Sequence, residues 1–385
     1  MGAVVRSCAC LLWRGPLIRD RTVKIQPLST LMLASLLGAC ASTPPPPPAF
    51  DPTADVAGQA ASFIQPVNDD KRGNSRRVAL TACNVVFGIK TSASASTQAG
   101  MFESNQGRVD AKISEVYLLQ GVSDAQLQGI TDRVCAQAEQ QLARSGLDVM
   151  SHRELAATAE YQALTAKGRP GPVEWSVNKS DYKVFAPSGW TVFDQRFDGA
   201  GRGIANIFKQ ATRNNPDALE GKLVNALGVT GVHVDILIDF ASLKSGDEDN
   251  KGFLARMAGN DEAKLESSVE LSVSGMLKLV TPETVNCHKL GCDTYHTMWP
   301  AYKSSRPLLA GSNFYTDVVD AESTAGKVAE GFATALGWLT AMAGGSGAKY
   351  NLSKWAVQAD PARYASLAEQ YSQHFVTMAA KSATP

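Results

Sequence analysis

The sequence predicts an α+β fold: a mixed β-sheet flanked by helices, with a helical C-terminal extension. Two kinds of pattern predict it. Apolar runs or apolar/polar alternation at residues 78–87, 232–240 and 269–279 are typical of strands with a buried face. Apolar residues recur at helical spacing between residues 127 and 142, and again between 364 and 378. Strand and helix patterns that follow one another in this way favour helices packed on a sheet.

The helix patterns carry clear end signals. Ser123 and Gln126 have the spacing of a capping box, in which each side chain bonds the backbone N–H of the other residue. Gly146 is placed to end that helix in a left-handed conformation. Asp360 and Pro361 predict the N-cap and first residue of the last helix.

Other segments complete the predicted order of elements. We expect short strands at 109–113, 147–150, 182–186 and 190–194. One helix is expected to begin at residue 152 and another to span 217–227. A bulge is expected at Gly275 in the strand 269–279. Residues 91–100 are small and predict a loop, and residues 243–264 predict a charged connection. One more buried helix is predicted by an apolar stripe of Val328, Phe332, Ala335, Leu336 and Leu339.

The N-terminal region contains an export signal. The apolar run at residues 28–37 is about ten residues long, too short for a helix that spans a bilayer. The Leu-Gly-Ala-Cys stretch at 37–40 resembles the lipobox of bacterial lipoprotein signal sequences. The resemblance implies that residues 1–39 are removed and that Cys40 carries a diacylglycerol and a further acyl chain such as palmitate. The alternative is a plain secretory signal with a chance cysteine at its end.

The same resemblance predicts the location of the protein. Ala41 and Ser42, rather than an Asp, follow the cysteine, which implies the outer membrane with the body in the periplasm. Val23 begins a compact leader with Lys24 as its basic residue, so we expect the true start at 23. The predicted domains are a leader and signal peptide at 1–39, a lipidated Cys with a Pro-rich tether at 40–75, an α/β periplasmic domain at 76–300, and a helical C-terminal region packed on it at 301–385.

Charge argues against nucleic acid as a partner. The first 39 residues hold five basic side chains and one acidic side chain, so the remaining chain carries a formal charge of −4. A nucleic-acid-binding protein would present a basic face.

Four cysteines remain beyond the leader and Cys40. Cys287 and Cys292 flank four residues that include a Gly, which favours a hairpin disulfide in an oxidising compartment. Zinc held by Cys287, Cys292 and His296 is the alternative. Cys83 and Cys135 either pair across the core or are simply buried small apolar residues, and the sequence leaves both open.

The order of elements resembles a known family. The stretch Ser-Gly-Leu-Asp-Val-Met-Ser-His-Arg-Glu-Leu at 145–155 and the strand after Gly-Val-Thr-Gly at 228–231 are similar to the curli-secretion lipoprotein (CsgG-like) periplasmic domain and, more loosely, to the TolB N-terminal domain. The resemblance covers residues 77–282 and implies their α/β fold and a membrane address. The loop from Leu243 lacks the apolar/polar alternation of the curli channel's hairpins, so a pore is not implied.

No catalytic motif is found. The Gly-rich stretch at 198–203 lacks the third glycine of a dinucleotide-binding loop. We therefore expect a non-catalytic lipoprotein that binds envelope proteins in assembly or secretion, either alone or as a homo-oligomer, with no cofactor beyond its covalent lipid. The alternative is a periplasmic module for a small molecule or glycan, with a cleft lined by Trp175, Tyr182, Trp190 and Trp299.

Overall fold

In this computed structural model the described residues are 48–96, 111–177, 179–192, 216–245, 265–282, 286–288, 291–293, 299–311, 313–321 and 349–384. They all belong to one compact unit, Pro48–Pro385. The described α-helices are α1 (Ala60–Phe63), α2 (Asp124–Arg144), α3 (His152–Ala156), α4 (Ala159–Thr165), α5 (Pro216–Leu227) and α6 (Pro361–Ala383).

The first half of the described chain contributes strands β1 (Ile64–Val67), β2 (Arg77–Ser96), β3 (Ala111–Gln120), β4 (Asp148–Met150), β5 (Val173–Val177) and β6 (Ser180–Phe185). The middle contributes β7 (Thr230–Asp239), β8 (Ser242–Ser245), β9 (Leu265–Ser268), β10 (Leu271–Val280), β11 (Asn286–His288) and β12 (Gly291–Asp293). The last four strands are β13 (Ala301–Ser304), β14 (Leu308–Gly311), β15 (Tyr315–Asp320) and β16 (Lys349–Ala359).

Twelve of these strands form one mixed sheet, which confirms the predicted fold class. Its path is β1-β13-β10-β7-β2-β3-β16-β15, and β4, β5, β6 and β14 join it at the side. The long strand β2 is central: it pairs in parallel with β7 and β4, and antiparallel with β6 and β3. Strand β16 inserts between β3 and β15, parallel to β3.

Helices cover both faces of the sheet. On one face α2 and α6 pack against alternate residues of β7, including Val232, Val234 and Ile236, in the main hydrophobic core. On the other face α3, α4 and α5 pack against Ala79 and Ala82 of β2 in a smaller core. The two-residue period of a strand sends successive side chains to opposite faces, so each strand serves both cores.

The predicted helix ends are confirmed. Ser123 and Gln126 form both bonds of the capping box at the start of α2, and Gly146 follows that helix with φ +92°. Asp360 caps α6 by accepting hydrogen bonds from the N–H groups of Ala362 and Arg363. These ends depend on residues within four positions of one another, which is why the sequence reveals them.

The expected tether is wrong for residues 48–75. This segment contains α1 and β1, and β1 pairs antiparallel with β13 from Ile64 opposite Ser304. Phe50 packs against the main core, and Phe63 is 3 % exposed. A few apolar residues in a polar stretch are therefore enough to dock it on the body.

The C-terminal region is only partly as expected. Helix α6 packs on the sheet as predicted, but the described residues between 301 and 359, namely 301–311, 313–321 and 349–359, contribute strands β13 to β16. The predicted helix at 328–339 lies outside the described residues.

Three smaller expectations also change. The predicted loop at 91–100 is strand as far as Ser96, because β3 pairs with it. The first residues of the charged connection at 243–264 are strand, because β8 pairs with β9, which begins just after the connection; residues 246–264 lie outside the described residues. Strand β10 runs without a bulge past Gly275, whose missing side chain instead makes room for the ring of Phe375.

Candidate functional site

A disulfide joins Cys83 of β2 to Cys135 of α2, with Cα atoms 6.0 Å apart. Both cysteines lie in the main core and are 1 % and 3 % exposed. Of the two alternatives that the sequence left open, the structure shows the pair. The disulfide links helix α2 covalently to the central strand β2.

The second cysteine pair stands on a hairpin. The backbone register of β11 and β12 places Cys287 opposite Cys292. The predicted disulfide between them stays a prediction, since their side chains are not among those described. His296 of the alternative zinc site lies outside the described residues.

Three of the four aromatic residues expected in a binding cleft come together. Trp175 of β5 stands opposite Tyr182 of β6, with ring centroids 5.2 Å apart. Trp190 packs on the same small apolar cluster as this pair, beside Val184. We call Trp175, Tyr182 and Trp190 the aromatic patch. All three side chains are half-buried, so each combines a fixed position with some access to solvent.

The fourth aromatic residue lies apart. Trp299 packs against Val224 of α5 and Val280 of β10, and Lys278 Nζ lies 5.8 Å from the centre of its ring. The prediction that all four line one cleft is therefore wrong.

Local contacts position Trp190. Its ring stacks on His152 with centroids 4.0 Å apart and planes 19° apart. A β-carbon on Gly168 would lie 2.2 Å from Thr191 Oγ1, so only glycine lets these two segments approach. Thr191 Oγ1 then donates to the carbonyl of Thr165 at 3.0 Å, which ties the Trp190 segment to α4.

Titration of the groups in and beside the patch favours neutral forms. Burial raises the pKa of Tyr182 to about 12, so its hydroxyl stays protonated and can donate a hydrogen bond. Burial lowers the pKa of His152, so an uncharged imidazole stacks on Trp190 near neutral pH. The strand that carries Tyr182 is held by an ion pair between Lys90 of β2 and Asp181. The patch thus offers aromatic area and one hydroxyl donor, that of Tyr182, rather than charge.

A buried polar network lies beneath α5. Glu220 and His233 are 1 % and 2 % exposed, and Glu220 Oε1 lies 2.6 Å from His233 Nε2. Thr81 of β2 donates its hydroxyl to Glu220 Oε1, also at 2.6 Å. Two residues further along the same pair of strands, β2 and β7, Asn84 donates to Asp235 at 2.8 Å.

Contacts with His233 and Thr81 set the ionisation of Glu220. Burial alone would raise the pKa of the carboxyl, but the attraction and hydrogen bond of His233 and the hydrogen bond from Thr81 lower it below its usual value. The network therefore holds α5 to β2 and β7 through an ionised carboxylate. Because its groups are buried, it serves packing rather than a reaction with an outside substrate.

The sequence missed this network. The alternation of the strand at 232–240 predicts only that His233 faces solvent or a covering helix, and α5 is that helix. Glu220 and His233 stand on different elements, and nothing in their spacing indicates a contact. The Gly-rich stretch at 198–203 lies outside the described residues.

Two searches of the described residues give negative results. No helix among them is both long enough and apolar enough to cross a bilayer. They also contain no group of three or more His, Cys, Asp or Glu side chains placed to hold a metal ion.

Compared with protein-family models, with curated proteins and with solved structures, the chain matches none.

Proposed function

We propose that this chain is a non-catalytic lipoprotein, anchored in the outer membrane through lipid on Cys40, whose periplasmic body binds partner proteins in envelope assembly or secretion. The observation that carries the proposal is the Leu-Gly-Ala-Cys motif at 37–40, at the end of an apolar run of export-signal length. Several acyl chains at one cysteine would hold the chain to a lipid leaflet, where a single chain binds only marginally.

The disulfide supports the compartment. Bonds such as Cys83–Cys135 persist in oxidising environments, including the bacterial periplasm, and are rare in the cytosol. Its cysteines come from the central strand and a core helix, so the bond belongs to the folded body and not to a peripheral loop.

The aromatic patch supports protein binding. Trp and Tyr dominate the residues that contribute most to protein–protein affinity, because they bury a large area at a low cost in conformational entropy. Two of its three residues, Trp175 and Tyr182, lie on the β5–β6 hairpin, and Val177 at the end of β5 is an exposed large apolar residue two positions from Trp175.

Metabolic labelling tests the anchor. Cells that express the full chain should incorporate palmitate into it, and globomycin should cause the unprocessed precursor to accumulate. A Cys40→Ser chain should take up no label. An unlabelled wild-type protein would contradict the proposal, and so would label that survives in the Cys40→Ser chain.

Capture from intact outer membranes tests the partner. Cross-linked proteins recovered with the wild type should be lost with Trp190→Ala. They should be retained with Leu309→Ala, which removes an exposed apolar side chain from β14. Equal recovery from all three would contradict binding through the patch.

The clustering of three aromatic residues also favours a second function, a binding module for a small molecule or glycan. Aromatic faces stack on sugar rings, and Tyr182 supplies a hydroxyl donor. Native mass measurement after detergent extraction separates the two. A hetero-complex or a ring of copies favours assembly, and a monomer carrying a small ligand favours the module.

A further inference from the structure

Strand β5 has one open edge. It pairs with β6 on one side, and none of the strands that the structure describes pairs with its other side. Val177 and Ser180 close the hairpin with two residues between them, so every second residue from Val177 back to Val173 directs its backbone N–H and C=O groups towards β6. The N–H and C=O groups of Glu174 and Ser176 therefore line the open edge, and both residues are exposed.

The two end strands of the sheet carry features that discourage pairing. Strand β1, at one end, contains Pro66, which has no N–H to donate. Strand β15, at the other end, exposes Asp317 and Asp320, which alternation places on opposite faces of the strand. Prolines and charges at such positions keep natural sheets from joining edge to edge. Strand β5 differs from both, because one of its faces is apolar along its whole length.

That apolar face is self-complementary. Val173, Trp175 and Val177 lie on it, on the side of the aromatic patch. Val173 is 5 % exposed, Trp175 is half-buried and Val177 is 38 % exposed, so the exposed apolar area increases towards the turn. The strand reads Val-Glu-Trp-Ser-Val, and its apolar pattern is therefore the same in both directions about Trp175.

We propose that β5 pairs antiparallel with β5 of a second copy of this chain, about a two-fold axis at Trp175. Each Glu174 lies opposite Ser176 of the other copy, and the two such pairs exchange about four backbone hydrogen bonds in all. On the apolar face, Val173 meets Val177 of the other copy, and the two Trp175 side chains lie side by side. The pairing thus satisfies the open edge and covers the exposed Val177.

The apolar pattern selects this register over its neighbours. Moving one strand by two residues one way places Glu174 opposite Glu174, and Ser176 opposite Pro172, which cannot donate. Moving it the other way brings the turn into the ladder and leaves Val173 without an apolar neighbour. In the proposed register the two Glu174 carboxylates lie diagonally and are exposed, so water and salt screen their repulsion.

The pairing joins two aromatic patches. A strand that adds to an edge extends a sheet sideways, so Tyr182 and Trp190 stay accessible and the two patches adjoin across the two-fold axis. A single pair of short strands makes a small interface, so the dimer forms at micromolar rather than nanomolar concentration. The inference depends on β5 and not on the lipid anchor of the proposed function, and a chain that fails to take up palmitate would leave it unchanged.

Sedimentation equilibrium of the full-length, detergent-purified protein tests the edge. The wild type should show a monomer–dimer equilibrium below about 100 μM. Ser176→Pro removes the N–H that Ser176 offers to the second copy and should weaken the dimer by about tenfold or more. Ser176→Ala is the matched control, because both variants lose the hydrogen bond from the Ser176 hydroxyl to Asp181, and it should dimerise as the wild type does. A wild type that stays monomeric at about 100 μM would overturn the proposal, and so would Ser176→Pro that dimerises as tightly as Ser176→Ala.

Cysteine cross-linking tests the register, and it decides the proposal even if Ser176→Pro does not fold. Trp175→Cys places the two new sulfurs across the two-fold axis, where the Cα atoms of such a pair are about 4.5 Å apart and a disulfide can form. Val177→Cys places the two new cysteines four positions out of register, more than about 13 Å apart. Mild oxidation should therefore link Trp175→Cys into a dimer and leave Val177→Cys at the wild-type level. Equal linkage of the two variants, or none in Trp175→Cys, would show that β5 does not pair in this way.

Discussion

Breaking the Cys83–Cys135 disulfide is expected to lower the free energy of unfolding by about 4 to 5 kcal/mol. The bond joins residues 52 positions apart. Closing a loop of this size in the unfolded chain removes conformational entropy worth about 4 kcal/mol at 25 °C in the chain-entropy relation. Truncating both core sulfurs to alanine adds a small transfer and cavity loss, about 1 kcal/mol in total.

The assay compares denaturant unfolding of the wild type and a Cys83→Ala/Cys135→Ala variant, each with and without reductant. The wild type should lose most of its extra stability in reductant, and the variant should show only the smaller response of the predicted Cys287–Cys292 pair. Cys287→Ser/Cys292→Ser is the matched control, because it removes the other cysteine pair and leaves the core disulfide in place. It should keep the full loss of stability that comes from reducing the Cys83–Cys135 bond.

Equal midpoints and slopes for the oxidised and reduced wild type would refute the entropy reasoning. A response to reductant that disappears in Cys287→Ser/Cys292→Ser would assign the effect to the hairpin cysteines instead. Thiol titration of the oxidised wild type in denaturant is an independent check, since Cys83 and Cys135 should contribute no free thiol.

Three further changes test the packing. Gly275→Ala should cost about 3 kcal/mol, since a β-carbon there would lie 2.5 Å from the ring of Phe375, and a thermal or denaturant melt measures the loss. Tyr364→Phe should raise stability by about 1 kcal/mol in the same melt, because its fully buried hydroxyl has no hydrogen-bond partner among the described residues. Glu220→Gln should cost about 3 kcal/mol by leaving His233 buried without its carboxylate. Folding lowers the pKa of Glu220 below its usual value of 4.5. The ionised carboxylate therefore stabilises the folded state fully above pH 4.5, and this stabilisation is lost as the pH falls through the lower pKa of the folded state. Glu220→Gln should flatten that part of a curve of stability against pH.

Each change has a control. Gly129→Ala in α2 meets only the guanidinium of Arg133 at 3.4 Å and should stabilise by up to about 1 kcal/mol, so a similar gain at Gly275 would contradict the steric reasoning. Tyr302→Phe loses a 2.5 Å hydrogen bond to Asp69 and should destabilise, opposite in sign to Tyr364→Phe. Thr81→Val removes one hydrogen bond from Glu220 but keeps its charge, so it should cost less than Glu220→Gln and keep the acid response.

Local signals made the helices predictable. The Ser123 capping box, the Gly146 terminator and the Asp360–Pro361 start each involve neighbouring residues, and all three stand where predicted. Strand β7 was equally predictable, because large apolar residues at alternate positions are typical of a strand with a buried face.

Contacts between segments that are distant in the sequence could not be predicted from local patterns. Small residues at 91–96 read as a loop, yet they extend β2 because β3 lies beside them. A single aromatic residue at 50 gave no periodic signal, although it docks the first described segment. Gly275 resembled a bulge residue, and only the position of α6 shows that Phe375 needs the space. The Glu220–His233 contact likewise depends on α5 crossing β7, which no local pattern predicts.

The central position of β2 has a consequence for how the chain reaches its final state. Its parallel neighbour β7 begins about 150 residues later, and β16, which completes the sheet around β3, ends at Ala359. A chain that emerges from its amino end can pair one edge of β2 with β3, β4 and β6 early, but the other edge stays unpaired until β7 arrives. Such non-local pairing slows folding and leaves strand edges open to aggregation. We expect the nascent chain to depend on a chaperone that holds this edge until the last strand is made.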